Sequence, residues 1–446
     1  MATKVQPASG AKSEVFRQNR AAWILGILAL FLLIPLGYAS IAGESEPGLS
    51  GLATLASAIQ SSACQEGQNP VAVILMAETV LVIAATAAAY GTRSRAIPLL
   101  SAFREHGAYL VALMILIAVP FLIAWQTDSS ACERGKSFFW QSIVVEVFIL
   151  AVLAISYNLM FGFAGVVSFG HAAFFGVGAY AVGLLMLHLS WPLGLATLAT
   201  LLISATMGLL VSVIALRIRG LYFAIFTLAF AEIFFILAQN RIMTDITGAE
   251  DGFTFAVPDW INPTQNRLTF YYLALVFLVF CYLLVRQLIN SPTGRVLRAM
   301  RDNEERAMML GYNTFIYKTL AIVLAGILAS GAGIFRGLLN KGASPNVLSV
   351  SFTIDPLLMT LIGGAGTFVG PVIGAFLLRL VEQFLRDTVL TIGSFSVNIG
   401  ERWALILGLI FILIVIAFPS GIVGTIRTRW RTWRAGKRTL EREAPT

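Results

Sequence analysis

Apolar and polar positions come in long blocks along this chain rather than in fine alternation. Apolar runs occupy residues 21–41, 71–90, 107–125, 138–158, 193–216, 221–238, 269–288, 319–339 and 403–423, with polar intervals between them. Each is close to the roughly 20 residues a helix needs to cross a bilayer. Two further apolar stretches are crowded with glycine. Residues 161–180 read FGFAGVVSFGHAAFFGVGAY, and residues 355–378 contain LIGGAGTFVGPVIGA. In a membrane, a broken helix is tolerated only where protein or a water-filled cavity satisfies the freed backbone groups. The pattern therefore predicts an all-α integral membrane protein, a polytopic helix bundle of about ten spans with glycine-broken, re-entrant helices.

The longest strongly charged interval, residues 291–318, carries Arg295, Arg298, Arg301 and Arg306 against Asp302, Glu304 and Glu305. Within it, Val296, Ala299, Met300, Ala307 and Leu310 recur at three- and four-residue spacing and Gly311 follows, which predicts one amphipathic helix over residues 295–310. Such a helix outside the bilayer either floats on lipid headgroups or fits a groove of another protein. Its mixed signs suit specific pairing better than attraction to anionic lipid.

Charge sets the orientation. The 446 residues are 58% hydrophobic and only 12% charged, with mean hydropathy +0.82, which excludes a soluble domain. The net charge of +8 comes from arginines and lysines gathered at the ends and in alternate intervals, among them Lys4, Arg20, Arg93, Arg217, Arg219, Arg427 and Arg438. Such residues mark the cytoplasmic side, so both termini belong inside and nucleic acid is not the partner. A re-entrant pair of half-helices over residues 355–378 keeps that parity. Residues 21–41 read as a retained helix rather than a cleaved signal. The expected organisation is a disordered basic N-terminus over 1–20, additional transmembrane helices over 21–137, a core over 138–423 and a basic cytoplasmic tail over 424–446.

Little in the chain suits covalent chemistry. There is no Walker A pattern and no large polar domain, so any ATP is hydrolysed by another polypeptide. His106, His171 and His188 are scattered, and three cysteines have no metal-like spacing, so neither an enzyme nor a cofactor or metal site is expected. A secondary transporter would need buried coupling carboxylates, for which Glu146 and Glu232 are the candidates. A charge at the bilayer centre costs roughly 2.5–3.5 kcal/mol on an insertion scale, so each of the two either lines a pathway or bonds a neighbouring helix.

Several stretches carry a family resemblance. Glu305, Ala307 and Gly311 reproduce the E-x-A-x-x-x-G spacing of the EAA loop of ABC importer membrane subunits. Gly162, Gly165, Ser168, Gly170 and His171 match the G-x-x-G-x-x-S-x-G-H segment of LivM-type permeases. Gly363, Gly364, Gly366 and Gly370 lie in a near copy of their G-G-x-G-t-x-x-G-P-x-x-G-A hallmark. Thr247 to Gly252 resembles the family's T-G-G-x-x-G turn, with Ala249 in place of one glycine.

Residues 138–423 thus resemble the LivM-type permeases of branched-chain amino acid importers and their urea-importer relatives. The resemblance implies a bacterial inner-membrane permease that pairs with a second homologous permease, two ATPase subunits and a soluble substrate-binding protein. Arg298, Arg301, Glu304, Glu305, Ala307 and Gly311 would couple to the ATPase. Ser168, Gly170, His171, Glu232, Gly363, Gly364, Gly366 and Gly370 would line the translocation pathway, with helix capping as the plainer role for His171. The implied solute is a branched-chain or other neutral amino acid, with urea or a short amide as the alternative. Cys64 and Cys132 fall in two loops on the outer side, where they either form a disulfide or stand as unrelated thiols.

Overall fold

The computed structural model describes residues 112–113, 115–123, 136–215, 217–218, 220–387, 389–392, 395–398, 402–426 and 428. The expectations for the runs 21–41 and 71–90, for Cys64 and Cys132, and for the tail beyond residue 428 lie outside these residues; of the run 107–125, residues 112–113 and 115–123 are described and are helical. The chain divides into two compact units. Of the smaller one, residues 112–113 and the short segment Asp259–Thr269 are described, the segment closed by a hydrogen bond from Asn266 Nδ2 to the Asp259 carbonyl (2.6 Å).

The larger unit holds the helix bundle. Its elements are α1 (Lys136–Asn158), α2 (His171–His188), α3 (Leu193–Ala215), α4 (Leu221–Gln239), α5 (Arg267–Asn290, entering from the smaller unit), α6 (Pro292–Asp302), α7 (Glu304–Met309), α8 (Thr314–Asn340), α9 (Ser351–Gly363), α10 (Gly370–Asp387) and α11 (Trp403–Ala417). Seven of the described helices are long and apolar enough to cross a membrane, so this is a polytopic membrane protein.

α1 is apolar on every side, as a helix surrounded by others must be. From Val147 to Met160 every residue is buried. α8 lies against α1, α2 and α3. Its approach to α2 depends on small residues. A Cβ on Gly178 would collide with the Ser330 carbonyl, and one on Gly333 with the Phe175 carbonyl. On the other side of α8, Phe335 stacks on Phe277 of α5, with ring centroids 4.6 Å apart. α3, α4 and α11 turn large apolar side chains outward, Leu202 and Ile416 among them. Such surface suits lipid.

The stretch predicted to be re-entrant is a helical hairpin. α9 runs one way, residues 364–369 turn, and α10 runs back beside it. The two arms touch through glycine: Gly363 abuts Gly370, and Gly374 abuts the Met359 carbonyl. α9 is about 20 Å long, too short to cross a bilayer core of about 30 Å alone.

The amphipathic helix expected over residues 295–310 is two helices. Asn303 is extended (φ −159°, ψ 104°) and ends α6. Its side-chain oxygen then caps α7, accepting from the Arg306 amide at 2.8 Å. The apolar spacing alone could not reveal this, because Val296, Met300 and Ala307 still share one buried cluster, packed on Tyr317. Gly311 follows in a left-handed conformation (φ 86°), as the stop signal requires.

At the opposite end of α8 from α6 and α7, β1 (Phe253–Thr254) pairs antiparallel with β2 (Gly342–Ala343) and ties the loop after α4 to the end of α8. β3 (Val389–Ile392) and β4 (Phe395–Asn398) form a hairpin between α10 and α11.

Candidate functional site

The first glycine-rich segment breaks the α1 ladder. After Asn158 the chain widens into a π turn over Leu159–Phe163, then runs irregularly to His171, where α2 begins. The freed backbone groups are met by side chains, as burial demands. Thr227 Oγ1 of α4 accepts from the Phe169 amide at 3.1 Å. Thr353 Oγ1 of α9 accepts from the Ala172 amide, in the first turn of α2, at 2.8 Å. Ser168 Oγ accepts from the Gly170 amide at 3.2 Å.

The second break, residues 364–369, lies directly against the first. Asn158, 2% exposed, joins them. Its Oδ1 accepts from the Gly366 amide at 2.8 Å, and its Nδ2 donates to the Thr367 carbonyl at 2.9 Å. The contact is close: a Cβ on Gly162 would lie 2.6 Å from the Gly366 nitrogen. Thr367 Oγ1 turns the second break by donating to the Gly364 carbonyl (2.7 Å) and accepting from the Gly370 amide (3.1 Å). Gly363, Gly364, Gly366 and Gly370 therefore gather in one turn, next to Gly162 and Gly165.

α6 lies over this junction. Arg301 Nη1 donates to the Gly162 carbonyl, and the same guanidinium fills the space where Gly366 would carry a side chain. Gly165 rests on the Arg301 backbone and stem, since a Cβ there would stand 3.2 Å from Arg301 Cα and Cγ. Gly165 and Gly366 both have left-handed φ, +73° and +77°. Only glycine takes that backbone freely while leaving room for the arginine. Arg298 turns back instead, donating to the Ile289 carbonyl at 2.8 Å and so fastening α6 to the end of α5. Glu304 pairs with Lys318 of α8 at 2.6 Å. Ala307 is buried, while Glu305 and Gly311 are exposed beside Met309 (86% exposed) and Leu310 (71%).

The remaining predicted pathway residues are dispersed. His171 is fully buried. Its Nε2 lies 2.8 Å from Ser156 Oγ, whose hydroxyl donates to the Leu153 carbonyl at 2.6 Å. The ring meets Tyr157 edge-on. Glu232 is half-buried on α4, five residues beyond the Thr227 that bonds the first break.

Glu146 belongs to a charged cluster, reached by neither break. It pairs with Arg336 of α8 (2.5 Å) and Arg379 of α10 (2.6 Å). Arg379 also holds Glu382, which holds Arg386, each at 2.7 Å. These charges clamp α1, α8 and α10 together toward the ends away from α6.

Sequence reading missed Asn158, Thr353 and Thr367, the polar side chains that close the breaks. The available signal was a polar residue at the end of an apolar run, immediately before or within a glycine-rich stretch.

A bundle of bilayer-length helices, with two broken segments paired beneath a polar helix pair, defines a membrane protein of the transport-permease class. Residues 140–416 match the family model described as "Branched-chain amino acid transport system / permease component", and the chain belongs to that family. Among its relatives is the high-affinity branched-chain amino acid transport system permease protein LivM of Salmonella typhimurium, 26% identical over 72% of this chain and 75% of that protein. The probable branched-chain amino acid transport permease protein LivM of Methanocaldococcus jannaschii is 26% identical over 61% of this chain and 89% of its own. The permease protein LivH of Salmonella typhimurium is 21% identical over 61% of this chain and 91% of its own. No solved structure gives a significant match. Membership makes the chain a transport permease component.

Proposed function

We propose that this chain is one membrane half of an ATP-driven importer of branched-chain or other neutral amino acids. The observation that carries the proposal is the two-sided character of α6–α7. One side reaches the paired breaks through Arg301, and the other exposes Glu305, Met309 and Leu310 as a mixed charged and apolar knob. Two ATPase subunits dock on this knob and on its counterpart in a second permease, and the chain itself needs no cofactor. That both LivM and LivH proteins match the chain supports a homologous permease as its partner. A soluble binding protein delivers the solute to the opposite face, near β1 and β2. In this reading the protein lies in a bacterial inner membrane with both termini cytoplasmic, because the arginines of α6–α7 and of the tail belong inside.

The test is co-purification of the complex from membranes, followed by reconstitution in proteoliposomes. ATP-dependent leucine uptake that survives a proton uncoupler supports the proposal. Uptake driven by a proton or sodium gradient without ATP overturns it.

A further inference from the structure

We propose that Arg301 is a positioning residue that ties α6 to both broken segments, so that displacement of α6 by the ATPase opens the cytoplasmic end of the pathway. The inference deepens the reading above and rests on α6–α7 being the docking site.

Three features support it. First, the π turn takes the Gly162 carbonyl out of the regular helical ladder, and the Arg301 guanidinium supplies its donor. The bond is charge-assisted, the stronger kind. Second, glycine stands at each point where the arginine touches the breaks, at 162, 165 and 366. Withdrawal of this one side chain therefore leaves a gap bounded by backbone amides and carbonyls rather than by apolar side chains. Such a surface can pass a zwitterionic solute. Third, Asn158 bonds the two breaks to each other, so a pull on one is felt by both. The other side-chain bonds of α6 and α7 do not have this reach. Arg298 holds α5, and Glu304 holds Lys318 at the surface.

The experiment follows nucleotide-dependent access to the junction and needs no knowledge of the solute. Val167, 39% exposed in the first break, is replaced by cysteine in a background lacking other reactive cysteines. The full complex with its ATPases is then labelled with a maleimide, with and without a non-hydrolysable ATP analogue. With Arg301 intact, the nucleotide should change the labelling rate about fivefold or more, the lower end of ordinary allosteric coupling. With Arg301→Ala, labelling should become insensitive to nucleotide while ATP binding persists, and Arg301→Lys should restore part of the response. Arg295→Ala, an exposed arginine on the same helix, should respond like the parent.

A merely structural role for Arg301 would lower the yield of complex without altering the nucleotide response of what remains. That unaltered response in Arg301→Ala overturns the inference and spares the docking reading. A nucleotide-insensitive rate with Arg301 present overturns the docking reading, and this inference with it. If Arg301→Ala does not assemble, Arg301→Gln carries the same comparison, and a response equal to the parent's overturns the inference.

Discussion

The Gly366 amide donates to Asn158 Oδ1 at 2.8 Å, across 208 positions of sequence. The amide of the same side chain donates to the next carbonyl, that of Thr367. One asparagine thus replaces two backbone hydrogen bonds that a continuous helix would have made, at a part-buried junction of the two breaks. This is how two breaks can be buried beside each other without orphaned polar groups.

Asn158→Ala should therefore cost more than an ordinary helix-end substitution. It leaves the part-buried Gly366 amide and Thr367 carbonyl without their side-chain partner, and the cost should fall toward the low end of the about 1–3 kcal/mol that a fully buried unpaired group carries. Thermal unfolding in detergent should show a clear loss of stability and reconstituted uptake should fall. Asn158→Asp keeps the acceptor for Gly366 and should lie between the two. An alanine variant as stable as the parent would show that the Asn158 bonds do not hold the breaks together.

Gly366→Ala is the matching change on the other side of the contact. Its φ of +77° disfavours any Cβ, and the space is already taken by the Arg301 guanidinium. Uptake should drop sharply in Gly366→Ala. Combining it with Arg301→Ala relieves the collision with the guanidinium but neither the 2.9 Å approach to the Gly162 carbonyl nor the backbone strain, so the double variant should regain part of the stability and not transport. Equal melting temperatures for the single and double variants would mean that the two residues do not press on each other.

Glu146 tests the charged clamp. Removing one partner from a fully buried pair strands the others, typically at about 3–5 kcal/mol, whereas replacing a pair by apolar residues is often neutral; Glu146 and Arg336 are half-buried, so the loss here should be smaller. Glu146→Ala should destabilise the protein, since Arg336 loses the ion-pair partner it has among the described residues. Arg379 still keeps Glu382. Glu146→Met combined with Arg336→Met should recover much of the loss in a detergent melt. If the double variant is worse than the single one, the clamp contributes specific energy that packing does not replace.

The docking knob and the nearby surface pair should behave oppositely. Glu304→Ala removes a pair with a partly exposed carboxylate (42% of the side chain), worth at most about 1 kcal/mol, and should melt and transport almost as the parent does. Glu305→Arg and Leu310→Asp touch no packed core, yet should cut ATP hydrolysis coupled to transport while leaving the protein in the membrane. Co-purified ATPase on an antibody blot is the direct reading. Undiminished capture and uptake in both variants would remove the knob from the interface.

Much of this architecture could be read from the chain, for a simple reason. Bilayer thickness dictates helix length, so an apolar run such as residues 193–216 specifies its own helix, observed as Leu193–Ala215. Glycine runs likewise marked both breaks, because nothing else in an apolar stretch allows such turns. What could not be read was which pieces meet. Nothing near Asn158 says that its partner is Gly366, and nothing near Arg301 says that it faces the breaks rather than a partner protein. Both facts depend on long-range packing. The split of the charged interval at Asn303 was hidden for a different reason: α6 and α7 keep one apolar face across it.

Topology gives the last prediction. α10 leaves the paired breaks at Gly370 and reaches Arg386 about 24 Å further along its axis. Arg386 is 47% exposed, holds Glu382 and lies 4.2 Å from the centre of the Trp403 ring. Met309, on the knob beyond α6, stands by contrast near the end where the breaks meet and is 86% exposed. If the arginine-rich α6–α7 pair faces the cytoplasm, the two positions lie on opposite sides of the membrane. A membrane-impermeant maleimide added to intact cells should therefore label Arg386→Cys and not Met309→Cys. In inside-out vesicles the pattern should reverse. Labelling of both cysteines from the same side would mean that α9 and α10 do not return the chain to the side it came from, and the hairpin could not then be re-entrant.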